Sequence, residues 1–272
     1  MPAPTPKHAP SPQIFATQLR EALRPLADPA RAGAMAAYMQ QRFAFFGIPT
    51  PARRAATRPL LASLGRTPDA DWLVSAAEAL WQFDERECQY AAVDMLVKFA
   101  ARIEARHEPQ LARLVQARAW WDSVDLIAAH VYGSLCRREP ALWKQVEHYA
   151  RHEDIWLRRV ALLHQLGDGT DTDYARLDRI LTANLGHPDF FIRKAMGWAL
   201  RQLARTDPDW VRAWLTECRG SIQPDAAGSA QASALTRATS QAIGLAHAPA
   251  LAESGNPITG AGESGWANSS NR

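Results

Sequence analysis

The sequence predicts an all-α fold on the basis of three observations. From Gln13 to about Ala246, apolar residues recur three and four positions apart, the spacing of a buried helix face. These segments are rich in Ala, Leu and Arg, which favour helices. Alternation of apolar and polar residues, which is typical of strands, is nowhere persuasive. The clearest helical segments are LVSAAEALWQF, ECQYAAVDMLVKFAARI, IWLRRVALLHQL and FIRKAMGWALRQLAR.

Glycine, proline and aspartate separate one helical segment from the next. These residues end helices and cap the following ones, so each cluster predicts a connection between two helices. The clusters are GIPTP, REPALW, GDGTDTD, LGHPD and RTDPDW.

A polar position recurs at nearly constant intervals along the chain. Asp125 lies 36 residues after Gln89, Arg159 lies 34 further on, and Lys194 follows after 35. Helix pairs that recur at this interval indicate a HEAT-like α-solenoid of antiparallel helix pairs, each packed on its neighbours. We therefore predict that these four side chains line one concave face, where such repeats usually bind an extended ligand.

Composition changes at both ends of the chain. We expect a disordered Pro-rich arm over 1–13, one repeat domain over 14–246 and a disordered Gly/Ser/Asn-rich tail over 247–272. A loop over 221–233 should precede one last helix, ALTRATSQAIG. The start lacks the apolar core of a signal peptide and no run is long enough to cross a bilayer, so the expected location is cytoplasmic.

Cysteine and histidine usage predicts no metal and no other cofactor. The three cysteines are far apart and form no CxxC pair. His148 and His152 are four apart, but no convincing third ligand is nearby, which favours a solvated helix face over a metal site.

Charge is distributed unevenly, although the net charge is only +3. The stretch 29–68 contains no Asp or Glu. Such a stretch either follows DNA phosphates or is simply solvated, and charge alone does not separate these readings. Its arginines are Arg31, Arg42, Arg53, Arg54, Arg58 and Arg66.

Two tryptophans share helix faces with charged residues in the middle and later repeats. Trp121 and Asp125 are four apart, as are Lys194 and Trp198. Each residue also has a simpler explanation, since tryptophans are mostly core and an aspartate often caps a helix or pairs with arginine. The joint register of these residues with Arg159 is the informative part.

Five stretches together resemble the HEAT-like repeat DNA alkylation repair family of the AlkD type, whose members are alkylpurine DNA glycosylases. They cover roughly residues 15–245 in the expected order, and WWDSVD and FFIRKAMGW are the most specific signals. The stretches are YMQQRFAFFGIPTPARR, LWQFDERECQYAAVDML, AWWDSVDLIAAHVYGSL, DIWLRRVALLHQL and HPDFFIRKAMGWALRQLARTDPDWV.

The resemblance implies a concave DNA-binding face and a role for each matching residue. Asp125 would be the catalytic carboxylate, with Trp121, Trp198 and Tyr38 around the damaged nucleotide. Arg159 would contact a phosphate beside it, and the charge of other cations near this face predicts that they also contact DNA phosphates. These cations are Arg53, Arg54, Arg159, Arg193 and Lys194.

These residue types suit the removal of a cationic N3- or N7-alkylated purine from duplex DNA. The base departs as a neutral molecule, so no general acid is needed, and a fixed carboxylate can stabilise the sugar and orient water. Tryptophan faces attract a cationic ring by about 0.5–2 kcal/mol. The expected partner is duplex DNA bound by a monomer near the nucleoid, in base excision repair. A non-catalytic DNA-damage binder and a protein-interaction scaffold are the alternatives.

Overall fold

The computed structural model describes residues 10–221, and the regular structure of this part of the chain is helical. Its one strand-like feature is an isolated bridge between Ala44 and Glu85. The all-α prediction is therefore confirmed. The α-helices are α1 (Pro12–Leu23), α2 (Pro29–Tyr38), α3 (Thr50–Ser63), α4 (Ala70–Trp81), α5 (Arg86–Lys98), α6 (Glu108–Gln116), α7 (Trp121–Leu126), α8 (Gly133–Arg138), α9 (Trp143–Tyr149), α10 (Ile155–Leu163), α11 (Tyr174–Thr182), α12 (Phe190–Leu203) and α13 (Pro208–Ser221).

Helix α1 begins at Pro12, inside the arm predicted over residues 1–13. The remainder of that arm, the loop after Ser221, the last predicted helix and the tail lie outside the described residues. None of the described helices is both long enough and apolar enough to cross a membrane. The described residues fall into two compact units, 10–95 and 96–221.

In the first unit, α1 packs on α3 and α4. The side chains of Phe15, Leu19 and Leu23 recur at helical spacing and are fully buried, each contributing about 1.5–3 kcal/mol of burial free energy. The start of α1 is held by Ser11, whose hydroxyl accepts a hydrogen bond from the N–H of Ile14. Sequence periodicity therefore located this helix because its buried face is continuous.

A buried carboxylate shapes the GIP loop between α2 and α3. Glu87 accepts hydrogen bonds from the N–H groups of Phe46, Gly47 and Ile48 at 2.9–3.0 Å. Gly47 has a φ of +87°, and a Cβ there would lie 2.3 Å from the carbonyl oxygen of Asp28. Only glycine fits this turn, and only an acceptor such as Glu87 satisfies its buried donors.

In the second unit, α10 is the central helix. It packs on α6, α7, α9, α11 and α12, and its buried residues include Leu157, Val160 and Leu163. Because one helix contacts so many others, side chains on α10 can link residues that are far apart in sequence.

The predicted repeat is confirmed within this unit by two equivalent helix starts. Asp154 caps α10 and Asp189 caps α12, 35 positions later, and each carboxylate accepts two backbone N–H bonds. In both copies a histidine two residues earlier, His152 or His187, accepts the aspartate's own N–H at Nδ1. The motif His-x-Asp thus begins successive repeats by one mechanism.

The helix that starts with WWDSVD changes type along its length. Helix α7 is followed without a break by a π-helical segment, Ile127–Tyr132, and then by α8. At the end of the π segment, Tyr132 donates to the buried carboxylate of Glu108 at 3.1 Å. At the next position, a Cβ on Gly133 would lie 2.6 Å from the backbone oxygen of His164. Single π turns inside α-helices are frequent at functional sites.

Candidate active site

Asp125 lies in the last turn of α7, immediately before the π segment. The start of α7 is fixed locally, since the N–H of Ser123 donates to Asp122 at 2.9 Å and its hydroxyl donates to the carbonyl of Trp120. Only 6% of Asp125 is exposed. A carboxylate in such a position is costly unless a partner compensates its charge.

The partner of Asp125 is Arg159 of α10. Its Nε donates to Oδ1 at 2.5 Å and its Nη2 to Oδ2 at 2.7 Å, so the contact is bidentate. Arg159 is itself only 4% exposed, and its Nη1 donates to the carbonyl of Phe191 at 2.5 Å. The carboxylate is thereby tied through one guanidinium to the first turn of α12.

Burial and charge act in opposite directions on this carboxyl. Burial raises the pKa of Asp125 above the ordinary aspartate value, Arg159 lowers it, and the neighbouring Asp122 raises it. Burial is the largest of these effects, and the paired Arg159 is the group that favours the ionised form.

Arg159 was expected to contact a DNA phosphate, but in this structure it holds Asp125. A guanidinium has five N–H donors, and three of those on Arg159 are already used. Its nearly complete burial leaves little surface for a phosphate. We therefore treat Arg159 as a residue that positions Asp125, and a phosphate contact by its two remaining donors stays a prediction.

The two predicted tryptophans differ in their surroundings. Trp121, half-buried, begins the helix that contains Asp125. Trp198 of α12 is 36% exposed and makes no hydrogen bond or ring contact with the described part of the chain. Other tryptophans of this unit are anchored, as when Trp143 donates to the carbonyl of Cys136 and Trp214 to Asp178. Trp198 thus presents part of its indole to solvent, without the hydrogen bond that anchors those other tryptophans.

An aromatic cluster that the sequence analysis did not predict packs around Phe191, whose carbonyl accepts a hydrogen bond from Arg159. The rings of Trp120, Trp156 and Phe191 pack on one another with centroids 4.8–5.6 Å apart. Such pairs contribute about 0.5–1.5 kcal/mol beyond burial. Trp156 and Phe191 occupy the same position after their capping aspartates, so the His-x-Asp repeat was the signal that could have located them.

The two cations predicted on α12 differ in their exposure and in their contacts. Lys194 is exposed, and its Nζ lies 5.6 Å above the ring of Phe190. Arg193 is half-buried and donates to the carbonyl of Pro188. Lys194 is therefore the better placed of the two for a ligand in solution.

Three predicted site residues belong to the unit 10–95. Tyr38 ends α2 with an exposed side chain. Arg53 is 6% exposed, and its Nη2 donates to Asp94 at 3.0 Å. Arg54 is more exposed and also pairs with Asp94 at 3.0 Å. Burial gives Arg53 a structural role, and Arg54, although more exposed, also donates to Asp94 through Nε and Nη2, so its phosphate contact stays a prediction.

The recurring polar position also needs one correction. Gln89 was expected to line one continuous concave face with Asp125, Arg159 and Lys194. It is fully buried, Asp125 and Arg159 are also buried, and Lys194 is the exposed member of the four. The Gln89 amide donates to the carbonyls of Leu80 and Phe83 at and just after the end of α4. Among the described residues, no three His, Cys, Asp or Glu side chains are grouped so that they could hold a metal ion.

Comparison with known proteins identifies the family. Residues 19–240 match the family described as DNA alkylation repair enzyme, so the chain belongs to this family. It is also similar to a solved structure described as a predicted DNA alkylation repair enzyme from Enterococcus faecalis. The two share 32% identity with a TM-score of 0.67, over 76% of this chain and 95% of that one. No curated protein matches the chain.

Proposed function

We propose that the protein is a monofunctional DNA glycosylase that removes cationic N3- or N7-alkylated purines from duplex DNA as a monomer, in base excision repair. The observation on which this rests is the buried Asp125, fixed by Arg159 within a chain of the DNA alkylation repair family. A carboxylate held in this way needs no reorganisation when positive charge develops on the sugar.

Asp125 keeps acceptor capacity after pairing with Arg159. A carboxylate offers about four lone-pair sites, and the guanidinium uses two of them. The other two accept no hydrogen bond from the described residues, and in this proposal they face the attacking water and the sugar through the small exposed part of Asp125. Asp125 would thus orient the attacking water and oppose the oxocarbenium charge, the two tasks that a carboxylate performs in glycoside hydrolysis.

The exposed aromatic and cationic side chains supply recognition in this proposal. The indoles of Trp121 and Trp198 attract a cationic purine and pack against its nucleotide. Lys194 and Arg54 neutralise phosphates, with Tyr38 contributing a further aromatic contact. Phosphate binding releases counterions from the DNA. A plot of the logarithm of the association constant against the logarithm of the salt concentration should therefore have a negative slope of about 0.9 per phosphate contacted.

The test is the release of free base from methylated duplex DNA. We expect wild-type protein to release 3-methyladenine or 7-methylguanine, and the Asp125→Asn variant to bind DNA without releasing base. Asp168→Asn is the matched control, because Asp168 pairs with Arg137 in the same unit and has no proposed role. Binding by wild-type protein without release would instead support the non-catalytic DNA-damage binder.

A neutral lesion tests the proposed mechanism. Hypoxanthine is a poor leaving group without protonation, and the mechanism contains no general acid. Duplexes with hypoxanthine should therefore yield no free base under conditions that release the cationic lesion. Efficient release of hypoxanthine would contradict the mechanism while leaving the glycosylase class intact.

A further inference from the structure

Helix α12 has an exposed face that extends well beyond Trp198. Phe190, Lys194, Trp198 and Arg201 are all exposed and stand four, four and three residues apart. At 100° and 1.5 Å per residue, they fall within an arc of about 80° along about 16 Å of the helix. Aromatic and cationic side chains therefore alternate in a row, which we call the α12 track.

The charge of the α12 track has one sign. Helix α12 contains Arg193, Lys194 and Arg201 but no Asp or Glu. Neither Lys194 nor Arg201 forms an ion pair within residues 10–221. Arg179, an exposed arginine of the same unit, is by contrast paired with Glu147. Both cations of the track are thus available to an anionic partner.

Phe190 is the most unusual member of the track. Its side chain is 55% exposed although it is large and apolar. The ring makes an edge contact with Phe191 at 5.4 Å, and Lys194 lies above it. More than half of Phe190 therefore remains in solvent, where it does not contribute to the core.

We propose that the α12 track binds one strand of the DNA, with Phe190 packing on a base that flanks the lesion and Arg201 contacting a phosphate beyond Trp198. This rests on the proposed function, because it takes Trp198 to face the lesion. Surfaces that hold a nucleic acid strand combine cations for the phosphates with aromatic rings on which bases stack.

The spacing of the two cations suits this partner. Lys194 and Arg201 are seven residues apart, which is about 10 Å along the helix. The rise per nucleotide of one strand is about 3.4 Å along the DNA axis, and winding makes successive phosphates lie farther apart than this rise, so the two cations can reach two different phosphates of one strand. Trp198 lies between them, and Phe190 is one turn before Lys194.

The experiment measures DNA binding by fluorescence anisotropy with a short labelled duplex that contains a tetrahydrofuran abasic analogue. The variants are Phe190→Ala, Phe190→Leu, Phe190→Tyr and Arg201→Ala, with Arg179→Ala as the control for an exposed but paired arginine. Phe190→Leu retains apolar packing on Phe191 without a flat ring, and circular dichroism establishes that each variant is folded.

Aromatic stacking predicts a distinct pattern among the Phe190 variants. Phe190→Ala and Phe190→Leu should both bind about five- to tenfold more weakly, the lower end of the effect of losing one stacked base, and Phe190→Tyr should bind like wild type. The salt slope should be unchanged in all three. If Phe190→Leu binds like wild type, the ring does not stack and the proposal is wrong.

Loss of a phosphate contact predicts a different signature. Arg201→Ala should reduce the salt slope by about 0.9, whereas Arg179→Ala should leave the slope unchanged. If the two substitutions change the salt slope equally, the effect comes from the overall positive charge and not from a specific phosphate contact. That result would overturn the assignment of Arg201.

Failure of this inference is distinguishable from failure of the proposed function. The binding assay needs no base release, so the track can be confirmed in a protein that lacks glycosylase activity. In the same duplex, the fluorescent base 2-aminopurine is placed at each position that flanks the abasic analogue. Wild-type protein should quench its fluorescence at the position that Phe190 contacts, and Phe190→Ala should not. Quenching at no position, or quenching that survives the substitution, would exclude the stacked base.

Discussion

Replacing one partner of the Asp125–Arg159 pair should lower the free energy of unfolding by more than the pair's own net contribution, because the other charge is left buried without a partner. In Arg159→Met, the buried Asp125 carboxylate loses its bidentate partner, and the free energy of unfolding should fall by about 3–5 kcal/mol. For a domain of this size, that corresponds to about 6–20 °C in the unfolding midpoint, at about 2–4 °C per kcal/mol. Asp125→Leu leaves a buried guanidinium and should cost a similar amount.

The double variant Asp125→Leu/Arg159→Met completes a thermodynamic cycle. It leaves neither charge buried, so its cost should be smaller than the sum of the two single costs by about 2–3 kcal/mol. Urea unfolding at neutral pH, followed by circular dichroism, measures all four proteins. Arg179→Met is the control, because its ion pair with Glu147 is exposed and its loss should barely change the midpoint. Additive single effects would refute the view that Arg159 compensates the buried charge.

Three further outcomes are expected. The rate of base release should decline at acid pH with an apparent pKa above the ordinary aspartate value of about 3.9, because burial raises the pKa of Asp125. Single-turnover rates measured against pH give this apparent pKa. A decline centred below the ordinary value would contradict the assignment of Asp125. By linkage, the contribution of Asp125 to the free energy of unfolding should fall as pH rises from its unfolded pKa through the raised folded pKa. Gly133→Ala should lower the unfolding midpoint although alanine favours helices, since its Cβ would lie 2.6 Å from the carbonyl oxygen of His164; an unchanged midpoint would mean that this contact relaxes. Glu87→Ala should cost at least about 3 kcal/mol in urea unfolding because three buried N–H groups lose their acceptor, and a cost near zero would mean that water replaces it.

The helical class and the repeat could be predicted because both depend on local spacing. Apolar residues at three- and four-residue intervals mark the buried face of a helix such as α1, whatever that face packs against. The interval between Arg159 and Lys194 survives in the structure because the same capping motif starts both helices. Boundaries were less predictable, as the start of α1 at Pro12 shows.

Side-chain partners could not be predicted, because they depend on which helices pack together. Spacing alone placed Asp125 and Arg159 at equivalent positions, but it did not indicate that one would hold the other. Gln89 shares the same periodic position and is buried, because the end of α4 supplies two carbonyls for its amide. Arg53 likewise looks like a surface cation in the sequence until Asp94 is placed beside it.

The π-helical segment Ile127–Tyr132 sets the rotational phase between two buried contacts on one continuous helix. Just before it, Asp125 meets Arg159, and at its end Tyr132 meets Glu108. Each residue of an α-helix advances the azimuth by 100°, so deleting one residue from this segment would swing one contact away while the other stays in place. The extra residue of the π turn therefore allows both contacts to form, whereas a regular α-helix over the same residues would orient one of the two side chains away from its partner.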